Sequence, residues 1–310
     1  MVEFIPANVP PVNEPRDPGM DHAHYPYRIL PEAPRFAWPG GARIALTVTV
    51  MLDHWELAAP EGESPDPRIV SPLGKFHPDW LTFSHRAYGA RVGIFRILDV
   101  LDRFGIVPSV ALGSAAAKRY PELVDELVRR NACFMAHGSH ATRRITSKMS
   151  PEQERAFIAE ARQSIAAIAG EAPMGWCGQD FNESFDTPAL LAEAGFAYTT
   201  DWANDDRPYL LGPYPSGHLL ALPPQPEWND LEIMWLRRVP PPFWTDSVAE
   251  GFSCLHEEGG GVFNLTLHPW VTGQAHRIRY LSDALHRIMG KPSTWVTTTD
   301  EVAKAARAQL

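Results

Sequence analysis

Short apolar runs alternate with helix-like stretches, and this alternation constrains the fold more than any other feature of the chain. Residues 42–52 read ARIALTVTVML, a continuous apolar and β-branched run typical of a strand buried on both faces. We predict the strands at 42–52, 107–112, 132–136, 174–177, 196–200, 219–223, 231–236, 261–267 and 295–299. About seven or eight strand–helix units without an internal boundary or repeat indicate one α/β domain, a distorted (β/α) barrel.

The segments between these runs give the rest of the organisation. Residues 1–40 are rich in proline and carry many aromatic side chains, so we expect an extended arm that lies across the barrel or on a neighbouring subunit. The barrel then occupies residues 41–310, and 58–80 form a long loop. The predicted helices lie at 88–104, 121–130, 151–169, 187–194, 248–257 and 275–289.

Composition limits the classes of partner. The net charge of −9 argues against nucleic acid or an anionic membrane, and every apolar run is shorter than the roughly 20 residues of a membrane span. The first residues lack the pattern of a secretory signal, and the three cysteines are far apart. We therefore expect a cytoplasmic protein that binds a small molecule and forms a homo-oligomer, either a dimer or a tetramer.

Titratable side chains follow four of the predicted strands. Because the carboxyl ends of parallel strands meet at one face, these side chains should converge. They are Asp53, His54 and Glu56 after the first strand, His137 and His140 after the third, Asp201, Asp205 and Asp206 after the fifth, and His268 after the eighth. A carboxylate with two histidines can bind a divalent metal such as zinc, iron or manganese, and His268 could protonate a leaving group. Neither a phosphate-binding glycine loop nor a nucleophile elbow follows a strand.

The order of these strand ends resembles the polysaccharide deacetylase (NodB-homology) superfamily, and in detail its allantoinase and cyclic-imide-hydrolase-like branch. The matching stretches are Asp53, His137-Gly138, YGARVG at 88–93, Asp201-Trp202 and LHPWVTG at 267–273. The resemblance implies a distorted (β/α) barrel and metal-assisted amide hydrolysis. It implies Asp53 and His268 as catalytic residues, and Asp53, His137 and His140 as metal ligands.

Two positions depart from the pattern of that superfamily. Its first motif has two adjacent aspartates, whereas this chain has Asp53 alone. Its histidines are four residues apart, whereas here position 141 is alanine and His140 is only three residues after His137. Two alternatives follow. Either His140 still completes a divalent metal site, with zinc as the expected ion, or the site works without metal and His140 contacts substrate.

The remaining candidates could contact a substrate or could simply pack or lie at the surface. They are Arg91, Trp176, Trp202, Asp205 and Trp270. Taken together, the sequence favours a hydrolase of non-peptide carbon–nitrogen bonds that acts on a small cyclic amide, imide or ureide. Two alternatives stay open: an N-deacetylase of an acetylated amino sugar or polysaccharide, and a non-catalytic binding protein on a degenerate barrel.

Overall fold

The computed structural model describes residues 22–58, 78–146 and 148–310. Most of the predicted 58–80 loop and the first part of the predicted arm therefore lie outside the described residues. The strands are β1 (Ile44–Leu52), β2 (Ser109–Leu112), β3 (Cys133–Ala136), β4 (Gly175–Trp176), β5 (Tyr198–Thr199), β6 (Tyr209–Tyr214), β7 (Gly217–Ala221), β8 (Gly261–Leu267) and β9 (Thr294–Val296).

The helices follow the strands in the expected alternation. They are α1 (Trp80–Tyr88), α2 (Ile94–Arg103), α3 (Ser114–Arg119), α4 (Pro121–Arg129), α5 (Pro151–Ala169), α6 (Thr187–Glu193), α7 (Pro241–Glu258), α8 (Ile278–Met289) and α9 (Thr299–Arg307). Within the described part of the chain, none of them is long and apolar enough to cross a membrane.

The strands form one curled sheet in the order β6-β7-β5-β4-β3-β2-β1-β8, with β9 also paired to β1. All pairs are parallel except β6 with β7. The predicted distorted (β/α) barrel is confirmed. One predicted strand is wrong: Leu231–Leu236 is a wide helical turn, and the Asn229 side chain accepts a hydrogen bond from Leu231 N at its start.

The two faces of the sheet bury different side chains. On β1 the even-numbered residues, such as Val50 and Leu52, pack under the surrounding helices, whereas Ala45 and Met51 belong to a second cluster inside the curled sheet. Side chains alternate along a strand, so this register continues into the loops. Asp53 consequently emerges on the inner face and His54 on the outer one.

A side chain helps to close the seam between β7 and β8. The Gln225 amide donates to Val262 O at 2.6 Å and accepts from Asn264 N at 2.8 Å, so it replaces a neighbouring strand along β8. The Asn264 carboxamide oxygen in turn accepts from the hydroxyls of Thr47 and Thr49 inside the barrel. The polar groups of this edge are thereby paired despite their burial.

The described part of the arm lies on the barrel, one of the two placements that the sequence predicted. Phe36 and Trp38 are buried, and the Trp38 indole donates to Gly261 O at 3.0 Å. Farther towards the N-terminus, Gly212 N donates to His24 O at 2.8 Å. Phe36 and Trp38 therefore contribute to the core, whereas Tyr27, Ile29 and Leu30 remain exposed on the surface of the barrel.

The stretch YGARVG is where the first long helix meets the loop after β8. Gly89–Gly93 form a wide helical turn between α1 and α2, so the helix begins earlier than the predicted residue 88. An added Cβ at Gly89 would lie 2.8 Å from Trp270 N, and one at Gly93 would overlap Pro269 O. Glycine is required because the two backbones touch, and this contact fixes the loop that carries His268.

Candidate active site

Three of the side chains that follow strands line one cavity inside the barrel mouth: Asp53, His137 and His268. They come from the ends of β1, β3 and β8, and each continues the inward-facing register of its strand. The cavity has a volume of about 30 Å³, which is room for about one water molecule. The structure thus brings together one carboxylate and two imidazoles that are far apart in the sequence.

Asp53 and His137 form a buried ion pair. Asp53 Oδ1 lies 3.2 Å from His137 Nε2 and accepts a hydrogen bond of 2.9 Å from the Gln179 amide, which also donates to His137 O at 2.7 Å. Burial raises the pKa of Asp53, but His137 and Gln179 outweigh this effect and hold it below its ordinary value. Burial lowers the pKa of His137, yet the charge of Asp53 more than compensates and raises it well above its ordinary value.

The residues present do not fit a zinc site with three protein ligands. His137 Nδ1 is held by Cys177 O at 2.5 Å, and its Nε2 faces Asp53 outside hydrogen-bonding geometry, an arrangement that two metal ligands could share. However, the third position is missing. Ala141 lines the cavity, whereas His140 turns away from it. Among the described residues, no three His, Cys, Asp or Glu side chains are grouped to hold a metal ion.

His268 is oriented by a residue that sequence reasoning missed. Its Nδ1 lies 2.7 Å from Oδ1 of Asp230, and the same fully buried carboxylate accepts from His268 N and from the Thr272 hydroxyl. Nδ1 therefore carries a proton that points at the carboxylate, and Nε2 is left for the cavity. Asp230 follows no strand, so no strand-end signal could have identified it.

Gln179 belongs to a tight turn after β4 that was also missed as a site element. Asp180 and Phe181 both have a φ of 55°, which is uncommon for residues other than glycine. The turn is fixed because Gly178 N donates to both carboxylate oxygens of Asp201, at 2.8 and 3.0 Å. The strained backbone places the Gln179 amide against Asp53, a typical use of strain at a functional site.

One wall of the cavity is aromatic. Trp55, Phe181 and Trp270 line it. Behind this wall the buried Arg86 guanidinium lies 3.5 Å from the ring centre of Trp270 and 4.9 Å from that of Trp55. This cation–π stacking holds both rings against the cavity. Of the aromatic side chains proposed to contact substrate, Trp270 alone lies at the site.

The structure does not bring the other proposed substrate contacts to the cavity. Trp176 is fully buried in the cluster beneath the helices, on the outer face of β4. The Trp202 indole donates to Glu183 and packs on residues of the arm. Arg91 is exposed to solvent, and Asp205 accepts from Arg207 N at 3.0 Å beside a different pocket.

The fold is similar to that of the NodB-type deacetylase barrels, and the comparisons confirm the resemblance to polysaccharide deacetylases seen in the sequence. A Schizosaccharomyces pombe protein named "Putative polysaccharide deacetylase" is 28% identical over 72% of this chain and 75% of its own length. No protein-family model matches the chain.

Two solved structures share the fold. The Puue allantoinase superposes with a TM-score of 0.82 at 24% identity, covering 92% of this chain and 98% of its own. A probable polysaccharide deacetylase from Pseudomonas aeruginosa PAO1 gives a TM-score of 0.80 at 23% identity and covers 92% and 99% of the two chains. At this identity the likeness concerns the fold.

Proposed function

We propose that this protein hydrolyses carbon–nitrogen bonds other than peptide bonds, in a small cyclic amide, imide or ureide. The observation that carries the proposal is the presence of two carboxylate–imidazole pairs on opposite sides of one cavity. On one side Asp53 is paired with His137, and on the other His268 is paired with Asp230. Amide hydrolysis needs a base for water and an acid for the departing nitrogen, and these two pairs can supply both.

The roles follow from the charges. Asp53 stays ionised and accepts a proton from the water that attacks the carbonyl carbon. The positive charge of His137 stabilises the oxyanion that develops on the carbonyl oxygen. His268 then donates its Nε2 proton to the nitrogen as the carbon–nitrogen bond breaks. Asp230 stabilises the imidazolium form that this step requires.

A small planar substrate is favoured over a polymer by the walls of the cavity. Trp55 and Trp270 give the cavity an aromatic, apolar wall beside the reacting groups, which suits a small ring better than a hydrated sugar chain. Allantoin is itself a cyclic ureide, and the Puue allantoinase has this fold. The name of the S. pombe relative supports the second candidate, an N-deacetylase of amino sugars.

Zinc was the expected ion, but the third ligand position is Ala141, so the described residues do not hold zinc with three protein ligands. Asp53 and His137 would be the residues that contact an ion held with help from substrate or water. Such an ion would polarise the carbonyl group, and without it the positive charge of His137 has this role.

The test is a release assay with the purified full chain. Succinimide, hydantoin, allantoin and N,N′-diacetylchitobiose would be incubated with the wild type and with His268→Ala, and new carboxylate or amine would be followed by NMR. Turnover of a cyclic compound that disappears in His268→Ala supports the proposal. Release of acetate alone would favour the deacetylase, and absence of turnover on all four would favour a non-catalytic binding protein.

A further inference from the structure

A second, larger cavity opens beside the catalytic one and is not used by the proposed mechanism. This groove has a volume of about 750 Å³, within the range of small-molecule sites. Its chemically active lining comes from the loops after β1 and β3 and from α3 and α5. The lining includes His54, Lys118, Arg119, His140, Arg143 and Phe157.

The loop after β3 separates the groove from the catalytic cavity. His137 and Ala141 line the catalytic cavity, whereas Ser139 and His140 line the groove. The same division occurs after β1, where Asp53 faces the catalytic cavity and His54 faces the groove. The two cavities are therefore neighbours at the same end of the sheet, divided by a single layer of chain.

The groove is lined by three cations, Lys118, Arg119 and Arg143, and by one carboxylate, Glu160, although the chain as a whole carries −9. Lys118 lies 3.0 Å from Glu160, and Arg143 lies 2.8 Å from Glu56, so these two cations have carboxylate partners. Arg119 stacks over the ring of Tyr120 at 5.7 Å. Its guanidinium makes no ion pair with any carboxylate in residues 22–58, 78–146 and 148–310.

Two imidazoles add further hydrogen-bonding groups. The rings of His54 and His140 are 5.9 Å apart between centres, and each uses its Nδ1 locally, towards the Tyr120 hydroxyl and the Ser139 hydroxyl respectively. Phe157 and Met149 supply an apolar surface beside them, and Phe157 packs directly on Gly138, where an added Cβ would lie 2.8 Å from the ring. A ligand that suits the groove has an anionic end and a short carbon skeleton.

We propose that this groove is a binding site for a small organic carboxylate, namely the ring-opened product once it has left the catalytic cavity. The inference rests on the proposed function, because hydrolysis of a cyclic amide or imide creates a carboxylate at the neighbouring cavity. Arg119 binds the carboxylate, and His54 and His140 contribute polar contacts. The apolar surface of Phe157 distinguishes an organic acid from an inorganic anion.

The experiment measures binding without turnover. Succinate and inorganic phosphate would be titrated separately into the full-length protein by calorimetry. Wild type would be compared with Arg119→Ala and with Arg279→Ala, a matched control because Arg279 is also exposed and stacks on the tyrosine that follows it. We expect Arg119→Ala to weaken succinate binding by about tenfold or more and Arg279→Ala to leave it unchanged. The NMR signals of His54 and His140 should shift on succinate addition.

Three results would overturn the subsite: no succinate binding, binding that is unaffected by Arg119→Ala, or phosphate binding as tight as succinate binding. These results are separable from failure of the proposed function. Arg119-dependent succinate binding in a protein that cleaves no carbon–nitrogen bond supports the subsite and refutes the enzyme. Cleavage of a cyclic imide by a protein that does not bind succinate supports the enzyme and refutes the subsite.

Discussion

His268 Nδ1 lies 2.7 Å from Asp230 Oδ1, and this contact orients the imidazole towards the catalytic cavity. The same carboxylate also accepts from His268 N and from the Thr272 hydroxyl, so both its oxygens are committed. A fully buried, fully paired carboxylate behind an imidazole is arranged to stabilise the protonated ring. The proposed acid therefore depends on a residue far from any strand end.

Asp230→Asn should lower turnover by about 10²–10⁴-fold, because an amide stabilises an imidazolium less well and can force the wrong tautomer on His268. Steady-state kinetics on the substrate found by the release assay measure this effect. Asp246→Asn is the control, since Asp246 pairs with Arg287 at the exposed surface. Unchanged turnover in Asp230→Asn would remove Asp230 from the mechanism.

His268→Ala should lower turnover by about 10²–10⁴-fold, since it removes the imidazole that is proposed to protonate the leaving nitrogen. Wild-type turnover in His268→Ala, measured on the substrate found by the release assay, would assign the acid role to water or to another residue.

The alternation of side chains along the strands explains why the sequence predicted the strand-end residues of the site, and it also shows why Trp176 was a wrong choice. Apolar runs that end in titratable residues were sufficient to predict the barrel and to include Asp53, His137 and His268 among the candidates, and the family resemblance then singled out these three together with His140. The alternation of side chains also places Trp176 beneath the helices, next to the inward-facing Cys177. Counting the register through β4 would have removed Trp176 from the substrate contacts.

Other parts of the site had no local signal. Asp230 lies 38 residues before His268 in the sequence, and the tertiary fold brings the two side chains together. Asp230 immediately precedes the helical turn Leu231–Leu236, which the sequence predicted as a strand. Gln179 depends on two left-handed residues, Asp180 and Phe181, that sequence pattern does not predict. The position of His140 depends on the backbone conformation of the loop after β3, which sequence pattern does not predict. In the structure this loop places Ala141 at the catalytic cavity and His140 in the groove.

Gln179→Leu should shift the acid limb of kcat/KM to higher pH. The hydrogen bond from Gln179 lowers the pKa of Asp53, so its loss raises that pKa and a larger share of Asp53 is protonated at acidic pH. The rate at neutral pH should fall much less than in His268→Ala. Gln163→Leu, an exposed change on α5, is the control. An unshifted acid limb would show that Asp53 is not the titrating base.

Metal analysis should show that His140 is not a metal ligand, in contrast to Asp53 and His137. His140→Ala should leave the metal content of the purified protein at the wild-type level, because His140 lines the groove and not the catalytic cavity. Ala141→His should instead raise zinc binding, since a histidine there would face the cavity with Asp53 and His137 and complete three ligands. Equilibrium dialysis against zinc, followed by elemental analysis, gives both results. Loss of bound metal in His140→Ala would restore the ligand set that the sequence predicted.

The last prediction concerns two carboxyl groups beside the Gly178 turn. The Trp202 indole donates to Glu183 Oε2 at 2.9 Å, and Asp201 holds Gly178 N. Burial and the neighbouring Asp201 raise the pKa of Glu183 well above its ordinary value, and burial raises the pKa of Asp201 to about 6. Glu183 is therefore protonated in the folded protein at pH values where the unfolded chain, with a pKa of about 4.3, has lost this proton.

Folding then takes up a proton through Glu183, so this group lowers the free energy of unfolding as pH rises from about 4.3 to its folded pKa, by up to about 1.4 kcal/mol per pH unit. Glu183→Gln keeps an acceptor for Trp202 but takes up no proton. The variant should thus gain stability relative to the wild type as pH increases from about 5 to about 8. Urea denaturation at several pH values measures this, with the exposed Glu122→Gln as control. If the curves of wild type and Glu183→Gln stayed parallel over this range, Glu183 would be ionised in the folded protein.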